Sequence, residues 1–298
     1  MPDYAFDWVD AFTDRPFGGN ACAVVHGADD LSVENRLALV NETSLSECAY
    51  LQHSDVADFG ARYYVATREI LMAGHPTIAT VTSLLKRGLI PLDDGAASFT
   101  LEVGAGVLPI TVRDGDTSRP EITMTQPAPE FLGQQEPGVI AALYGLDADD
   151  IIGTPEIVST GTPFCIAVLR DQDALRRARL DPDALHHWQA GIDHESANIL
   201  EPFLVTLSGI DGGDTFSRLL LPPPLPAEDP FTGTATGCMA CYLWARDLIA
   251  TPEFQAEQGH WMGRPGRASV EVLGPRDAIA GVQVGGTGRV LMSGHLHI

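Results

Sequence analysis

Short apolar runs, some alternating with polar residues and some continuous, dominate this chain and predict many strands with few helices. Strands are predicted at 4–12, 21–26, 47–53, 59–66, 98–103 and 107–113 in the first half. In the second half they are predicted at 156–159, 165–169, 199–208, 216–221, 268–273, 280–284 and 288–295. Helices are predicted from a Ser32 cap to about Asn41, from Pro76 to Arg87, and at 137–144, 182–191 and 233–249.

Two stretches about 155 residues apart share one design, as each is a Gly- and Pro-containing turn that leads into a helix of small side chains. The first stretch, 73–80, carries His75, and the second, 229–237, carries Asp229. The start of a helix presents unpaired backbone N–H groups and partial positive charge, which makes it an anion site. Two such turns facing each other would bind a small anionic molecule, so we predict an active site there.

The same order of elements recurs loosely in the two halves, and each half holds mostly strands and one long helix with small residues. A segment rich in Gly, Asp, Ser and Pro at 114–129 indicates the boundary between them. Small residues such as Ala79, Ala235 and Gly237 would let a sheet come close to these helices. The pattern predicts a duplicated α+β unit, each copy a curled, mostly antiparallel sheet around a central helix.

The net charge of −22 arises from 40 acidic and 18 basic residues, of which only Lys86 is a lysine. Such a field repels nucleic acid and anionic membranes, so neither is expected as a partner. No apolar run reaches membrane-spanning length, and the residues from Met1 onward lack the features of a signal peptide. We therefore expect a cytoplasmic protein whose small anionic substrate depends on local hydrogen-bond donors.

Neither a cofactor nor a metal is predicted. The chain contains no Gly-x-Gly-x-x-Gly and no Gly-x-x-x-x-Gly-Lys motif, so a nucleotide cofactor has no support. Cys238 and Cys241 form a Cys-x-x-Cys within a predicted helix, without the further ligands of a zinc site, and all five cysteines are expected to be reduced. His295 and His297 alternate on one strand face, but that segment offers no carboxylate or thiol partner.

Three ionisable residues are candidates for chemistry, and each also has a purely structural interpretation. Glu47 either completes a capping box with Ser44 or acts as a general acid or base whose pKa burial would raise. His75 is either a polar turn residue or a neutral donor to a substrate oxygen. Asp229 is either a helix cap or a substrate ligand.

Taken together, these motifs resemble the PhzF family of isomerases from phenazine biosynthesis and their relatives, which share the diaminopimelate epimerase fold. The resemblance covers the whole chain in order. Ser46-Glu47 lies in a stretch similar to the family's catalytic Asn-Leu-Ser-Glu-Thr region, with Ser44 and Cys48 replacing the Asn and Thr. The other matching segments are 9–13 with 17–21, 73–77, 159–163, 229–235 and 262–265.

The resemblance implies that Glu47 moves a proton between carbons of a cyclohexadiene acid while His75, Asp229 and Thr234 hold the substrate. We add Asn20, Gly74 and Gly233 as further substrate-binding residues. The racemase and epimerase relatives use two cysteines at the helix starts. Here the corresponding positions are Ala73 and Thr232, so a thiol pair is missing.

The predicted fold is therefore α+β and diaminopimelate epimerase-like, with one lobe at 1–118 plus 286–298, a second at 119–285, and the active site between them. The predicted activity is cofactor-independent isomerisation of a small unsaturated or cyclic carboxylic acid in a phenazine-like pathway. Two alternatives remain, an amino-acid racemase or epimerase and a non-catalytic protein that binds a small acid. We also expect a homodimer.

Overall fold

The computed structural model describes residues 2–192, 201–223 and 225–298. These residues form strands with few helices, as the sequence predicts. The helices are α1 (Val33–Thr43), α2 (Gly74–Lys86), α3 (Pro137–Leu143), α4 (Gln172–Arg177), α5 (Pro182–Ala190) and α6 (Gly233–Ala245). Two further single turns of 3₁₀ helix lie at Ala148–Asp150 and His260–Met262.

The described residues contain eighteen strands, several of them short. Those before α3 are β1 (Asp3–Ala11), β2 (Asn20–Val25), β3 (Cys48–Gln52), β4 (Phe59–Tyr64), β5 (Glu69–Ile70), β6 (Ala97–Val103), β7 (Gly106–Arg113), β8 (Glu121–Gln126) and β9 (Glu130–Gln134). Those after it are β10 (Ile151–Ser159), β11 (Pro163–Leu169), β12 (Phe203–Thr206), β13 (Thr215–Leu220), β14 (Glu228–Asp229), β15 (Glu253–Gln258), β16 (Gly266–Leu273), β17 (Gly281–Gly286) and β18 (Gly288–His297).

The chain divides into two compact units. The first unit comprises Met1–Thr125, Gly263–Gly266 and Val284–Ile298, and the second comprises Gln126–Met262 and Arg267–Gln283. In the first unit β1 pairs antiparallel with both β18 and β2, β2 runs parallel to β3, and β3 is antiparallel to β4. Strand β4 then pairs antiparallel with the short β5 and parallel with β6, which leads into the antiparallel β6, β7 and β8.

The second unit repeats this pairing pattern. Strand β10 is antiparallel to β9 and β11, β11 is parallel to β12, and β12 is antiparallel to β13. Strand β13 pairs antiparallel with the short β14 and parallel with β15. In each unit a two-residue strand therefore precedes the central helix, α2 or α6, and the duplicated α+β architecture is confirmed.

Both central helices are buried on all sides, because their small residues leave room for neighbouring strands. Every residue from Gly74 to Leu84 in α2 and from Gly233 to Leu243 in α6 is buried. Helix α2 packs against β1, β2, β3 and β18, and α6 packs against β10 and β11. A helix that is apolar or small all round belongs inside a domain rather than on its surface.

Several predicted helix ends need correction. Helix α2 begins at Gly74, two residues before the predicted Pro76, and ends at Lys86. Gly88, two residues after this end, adopts the left-handed conformation at φ 65°. Helix α6 ends at Ala245 instead of 249, because Asp247 adopts φ 57° and the N–H of Leu248 bonds back to the carbonyl of Leu243. A left-handed residue after a helix is usually glycine. Because position 247 is an aspartate, the sequence did not indicate the end of α6.

The sequence patterns also missed several short elements, namely β5, β8, β9, β14, β15 and α4. The predicted strand at 199–208 is shorter, since β12 covers Phe203–Thr206, and positions 199 and 200 lie outside the described residues. Among the helices of the described residues, none combines the length and apolar character needed to cross a membrane.

Gly237 tests the close packing around α6. A Cβ at this position would overlap the side-chain amide of Gln126, which donates to the carbonyl of Gly233 over 3.1 Å and accepts from the Thr160 hydroxyl over 2.6 Å. We expect Gly237→Ala to lower the free energy of unfolding in urea by about 2–4 kcal/mol, through overpacking and lost hydrogen bonds.

The matched control for this substitution is Gly138→Ala in α3. A Cβ at Gly138 would make only an ordinary contact of 3.8 Å with Ala148, so we expect unchanged or slightly increased stability. Equal effects of the two substitutions would contradict the packing described for α6.

Candidate active site

Glu47 lies where α1 passes into β3. Ser44 ends α1 in the left-handed conformation at φ 54°, and Glu47 directly precedes β3. No helix starts here, so the capping-box interpretation of Ser44 and Glu47 is wrong. The Glu47 Oε2 atom lies 3.7 Å from the Nδ1 of His75, with side chains that are 20% and 4% exposed, respectively. The local chain path thus brings a mostly buried carboxylate to the start of α2.

His75, the second residue of α2, is neutral in the folded protein. Burial, followed by the positive charge of Arg264, lowers the pKa of His75 to about 3. The Asn20 side-chain amide lies 3.1 Å from Nδ1 and donates to it, which places the imidazole proton on Nε2. This Nε2 is buried and has no hydrogen-bond partner among the described residues. A buried N–H donor of this kind is available for an oxygen of a ligand.

Asn20 is the first residue of β2, and the turn that precedes it is held in place by Arg264. Arg264 donates to the carbonyls of Gly18 and Gly19, both over 2.9 Å, and to Oδ1 of the fully buried Asp10 over 2.7 Å. The other Asp10 oxygen accepts the N–H of Phe17 over 2.7 Å. Arg264 thereby fixes the turn that ends at Asn20, a role that the sequence motif at 262–265 did not reveal.

The start of α2 has no side-chain cap. Ala73, the N-cap residue, has an extended backbone and no side chain able to accept a hydrogen bond, and Gly74 follows it as the first helical residue. The first turn is buried, so its N–H groups have little access to water. These features favour an anion at this position, such as a substrate carboxylate.

In the second unit, Asp229 belongs to a hydrogen-bonded group of its own. The Thr232 hydroxyl donates to Asp229 Oδ2 over 2.6 Å. The fully buried Gln258 donates to the Asp229 carbonyl over 2.8 Å and to the Thr232 hydroxyl over 3.1 Å, and its Oε1 accepts the Thr232 N–H over 3.0 Å. The N-cap residue of α6 is Thr232, whose side chain does not cap the helix, so Asp229 is not a helix cap.

Gly233 and Thr234 are the first two residues of α6, and both are buried. Like the start of α2, this helix start therefore lies uncapped by side chains in the interior of its unit. Gln258, which holds the turn in place, had no signal in the sequence because its role depends on the fold.

The five cysteines are free and buried. Burial raises the pKa of Cys48 and of Cys238 to about 11 and raises the pKa values of the other three thiols as well. Protonated, buried thiols are poor bases and nucleophiles. Their placement agrees with a structural role.

A serine, a histidine and an aspartate also meet in the first unit, without the geometry of a nucleophilic triad. The Ser83 hydroxyl lies 2.7 Å from His26 Nε2 and donates to Asp7 Oδ2 over 2.5 Å, while Asp7 Oδ2 lies 3.3 Å from the same Nε2. In a triad the carboxylate binds the other ring nitrogen. Arg87 also donates to both oxygens of the fully buried Asp7, so this cluster anchors the end of α2.

The pair His295 and His297 does have a carboxylate neighbour, from the antiparallel β1. The Asp3 Oδ1 atom lies 3.0 Å from Nδ1 of His295 and 3.4 Å from Nδ1 of His297, and all three side chains are more than half exposed. Within the described part of the chain, no group of three or more His, Cys, Asp or Glu side chains is arranged to hold a metal ion.

Comparison with known proteins identifies the class. The sequence profile described as "Phenazine biosynthesis-like protein", PhzC-PhzF, matches residues 9–294. An uncharacterised isomerase of Salmonella typhimurium, YddE, is 31% identical over 89% of this chain and 88% of its own length. The trans-2,3-dihydro-3-hydroxyanthranilate isomerase of Pseudomonas aeruginosa is 26% identical over 97% of this chain and 98% of its own.

The fold leads to the same class. The solved structure of a PhzF-family phenazine biosynthesis protein of Bacillus anthracis superposes with a TM-score of 0.83, at 26% identity and over the full length of both chains. The fold is the diaminopimelate epimerase-like α+β fold, which proline racemase-like proteins also adopt. This chain belongs to the PhzF family, and its relatives mark it as an isomerase.

The structure thus brings three of the predicted site residues together in the first unit, namely Asn20, Glu47 and His75, at the buried start of α2 that Gly74 opens. It places Asp229, Gly233 and Thr234 together at the corresponding helix start of the second unit. The role of each residue in substrate binding or catalysis stays a prediction.

The low pKa of His75 predicts a measurable dependence of stability on pH. The unfolded chain binds a proton at His75 below its ordinary pKa of about 6.5, whereas the folded protein does not until about pH 3. Stability should therefore fall as the pH drops below 6.5. Between pH 6.5 and 5 we expect wild type to lose about 2 kcal/mol more in its free energy of unfolding than His75→Gln.

Urea unfolding of the two proteins across this range measures that difference, and the carboxylates common to both cancel. Parallel pH profiles would contradict a neutral, buried His75. Titration of the ring by NMR gives an independent check, because the His75 signals should stay those of the Nε2–H tautomer down to pH 5.

Proposed function

We propose that the protein is a cofactor-independent isomerase that moves a proton between carbons of a small unsaturated or cyclic carboxylic acid. The observation that carries this proposal is the mostly buried Glu47 carboxylate, 3.7 Å from a neutral His75 at the start of a buried helix. A carboxylate in such a place can take a proton from carbon and return it, while neighbouring donors stabilise the negative charge that develops.

Two other ionisable groups of the first unit are poorly suited to the role of base. The Asp10 carboxylate already accepts hydrogen bonds from Arg264 and from the N–H of Phe17, and it is fully buried. His75 itself, with a pKa of about 3, is a weak base at neutral pH. These observations favour Glu47 as the group that carries the proton.

His75 is proposed to act as a donor. Its Nε2–H is buried without a partner among the described residues, beside the uncapped N-terminus of α2. A carboxylate or an enolate-like oxygen of the substrate would satisfy this donor and the positive end of the helix together. The resemblance extends substrate binding to Asp229 and Thr234, and we propose Asn20, Gly74 and Gly233 as further substrate-binding residues.

The relative from Pseudomonas aeruginosa is named for its action on trans-2,3-dihydro-3-hydroxyanthranilate, an unsaturated cyclic acid. We propose that the substrate of this chain belongs to the same chemical class and that the reaction serves a phenazine-like pathway. We also propose that the protein assembles as a homodimer. Sedimentation equilibrium tests this proposal, and a purely monomeric protein would contradict it.

A two-base racemase mechanism has less support. Ala73 and Thr232 occupy the positions where the racemase relatives carry their two cysteines, and the cysteines present are buried with raised pKa values. Binding of a small acid without turnover is the other alternative, and a catalytic assay separates it from the proposal.

The central test is Glu47→Gln, which keeps the size of the side chain but removes its ability to accept a proton from carbon. Since general acid–base groups contribute about 10²–10⁴-fold, we expect kcat for isomerisation of trans-2,3-dihydro-3-hydroxyanthranilate to fall by about 10³-fold or more. The free energy of unfolding should change little, because the substitution is nearly isosteric. Circular dichroism and urea unfolding would confirm that the variant folds.

Three further variants serve as comparisons. His75→Ala and Asp229→Asn should raise KM as well as lower kcat, since both residues are proposed to hold the substrate. Cys238→Ala should leave kcat within a few-fold of wild type, whereas a thousandfold loss in a folded Cys238→Ala protein would favour a thiol mechanism. If Glu47→Gln turns over normally and Asp229→Asn does not, Asp229 carries the proton instead.

A further inference from the structure

A concave site lies within the second unit, and neither Asp229 nor any residue of α6 lines it. It is a cavity of about 550 Å³, which is within the range typical of sites for small molecules. Leucines form much of its wall, including Leu180, Leu220, Leu221 and Leu225. Trp261 and three arginines also line it, so the cavity combines an apolar wall with a concentration of positive charge.

The positive charge in this cavity is only partly neutralised. Arg218 forms a two-pronged ion pair with Glu228, at 2.9 and 2.6 Å. Arg176 and Arg179 also line the cavity with exposed side chains, and neither has an ion-pair partner among the described residues. The Nη1 of Arg179 donates to the carbonyls of Arg176 and Ala178, both over 2.8 Å, which leaves its other guanidinium N–H groups for a ligand. The charged residues that line the cavity are three arginines and one glutamate, whereas the whole chain has 40 acidic and 18 basic residues. The site therefore has the opposite sign to the protein as a whole.

Trp261 organises the arginines. The Arg176 guanidinium lies 4.2 Å from the centre of the Trp261 ring, and the Arg218 guanidinium lies 5.6 Å from it. Phe216 contacts the same ring edge-on, with 4.6 Å between the ring centres. Because the ring is fixed by Phe216, Arg176 is held over its face, which leaves guanidinium N–H groups to bind an anion.

This cavity is separate from the Asp229 group although the two are adjacent in sequence. Successive side chains of a strand point to opposite faces. In β14, Glu228 lines the cavity and pairs with Arg218, whereas Asp229 accepts a hydrogen bond from Thr232. Occupation of the cavity can thus be measured independently of the proposed isomerase activity.

We infer that this cavity, lined by Arg176, Arg179, Arg218 and Trp261, is a binding site for a small organic anion with an apolar body. The carboxylate or other acidic group of the ligand contacts Arg176 and Arg179, and its hydrocarbon part lies against the leucines. A carboxylate, a sulfonate and a phosphate share the chemistry that these guanidinium groups recognise.

Isothermal titration calorimetry of the protein with 2-naphthoate tests this inference. We expect a dissociation constant of about 1 mM or tighter for a ligand of this size. The double variant Arg176→Gln/Arg179→Gln should bind about 10- to 100-fold more weakly, since it loses charge-assisted hydrogen bonds. Neutral 2-naphthamide should bind more weakly than 2-naphthoate, and acetate, which lacks the apolar body, should not bind measurably at the same concentrations.

The matched control is Arg177→Gln, which removes one positive charge from the same helix. Arg177 pairs with Asp150 and does not line the cavity, so its variant should bind like wild type. The indole N–H signal of Trp261, assigned by loss in Trp261→Phe, should shift on addition of 2-naphthoate. Absence of binding to wild type, unchanged binding by the double variant, or equal loss in Arg177→Gln would overturn the inference.

Discussion

The burial of the start of α2 is the constraint on which the rest of the site depends. A helix start leaves N–H groups that need acceptors, and here Ala73 supplies no side-chain cap while the first turn is hidden from water. The same burial lowers the pKa of His75 and keeps the ring neutral. The side chain of Asn20 donates to Nδ1, so the ring proton lies on Nε2. An anionic ligand would supply what both groups lack, so the fold itself favours a small acid at this position.

The two units share one topology but differ in chemistry. Each has a two-residue strand, a Gly-containing turn and a buried helix of small residues. In the first unit this turn presents a histidine near a glutamate, whereas in the second it presents an aspartate bonded to a threonine. The backbone arrangement is therefore the same in the two units, whereas the ionisable side chains at the two helix starts differ.

The sequence predicted the architecture well because the signals are local. Alternating apolar residues, the Ser32 cap and Gly88 are properties of neighbouring residues, and the structure agrees with them. Helix α6 was predicted too long because Asp247 adopts the left-handed conformation that ends the helix. A glycine at this position would have indicated the helix end in the sequence. Short strands such as β5 and β14 are too brief to show a period at all.

Only those residues of the candidate site that lie in a recognisable sequence motif could be predicted. Glu47, His75 and Asp229 came from family-like motifs, but the contacts that hold them came from residues distant in sequence. Arg264 clamps the turn before Asn20 from more than 240 positions away, and Gln258 fixes Thr232 from 26 positions away. Such contacts leave no local pattern, so a single sequence could not reveal them.

The proposed isomerase activity depends on whether the Glu47 carboxylate removes a proton from carbon. Exchange of the substrate carbon-bound hydrogen with deuterium oxide, followed by NMR during incubation with trans-2,3-dihydro-3-hydroxyanthranilate, measures that step separately from completed turnover. We expect exchange by wild type, slower but detectable exchange by His75→Gln, and none above background by Glu47→Gln. Exchange by a folded Glu47→Gln protein at the wild-type rate would contradict the role of Glu47 as the proton carrier.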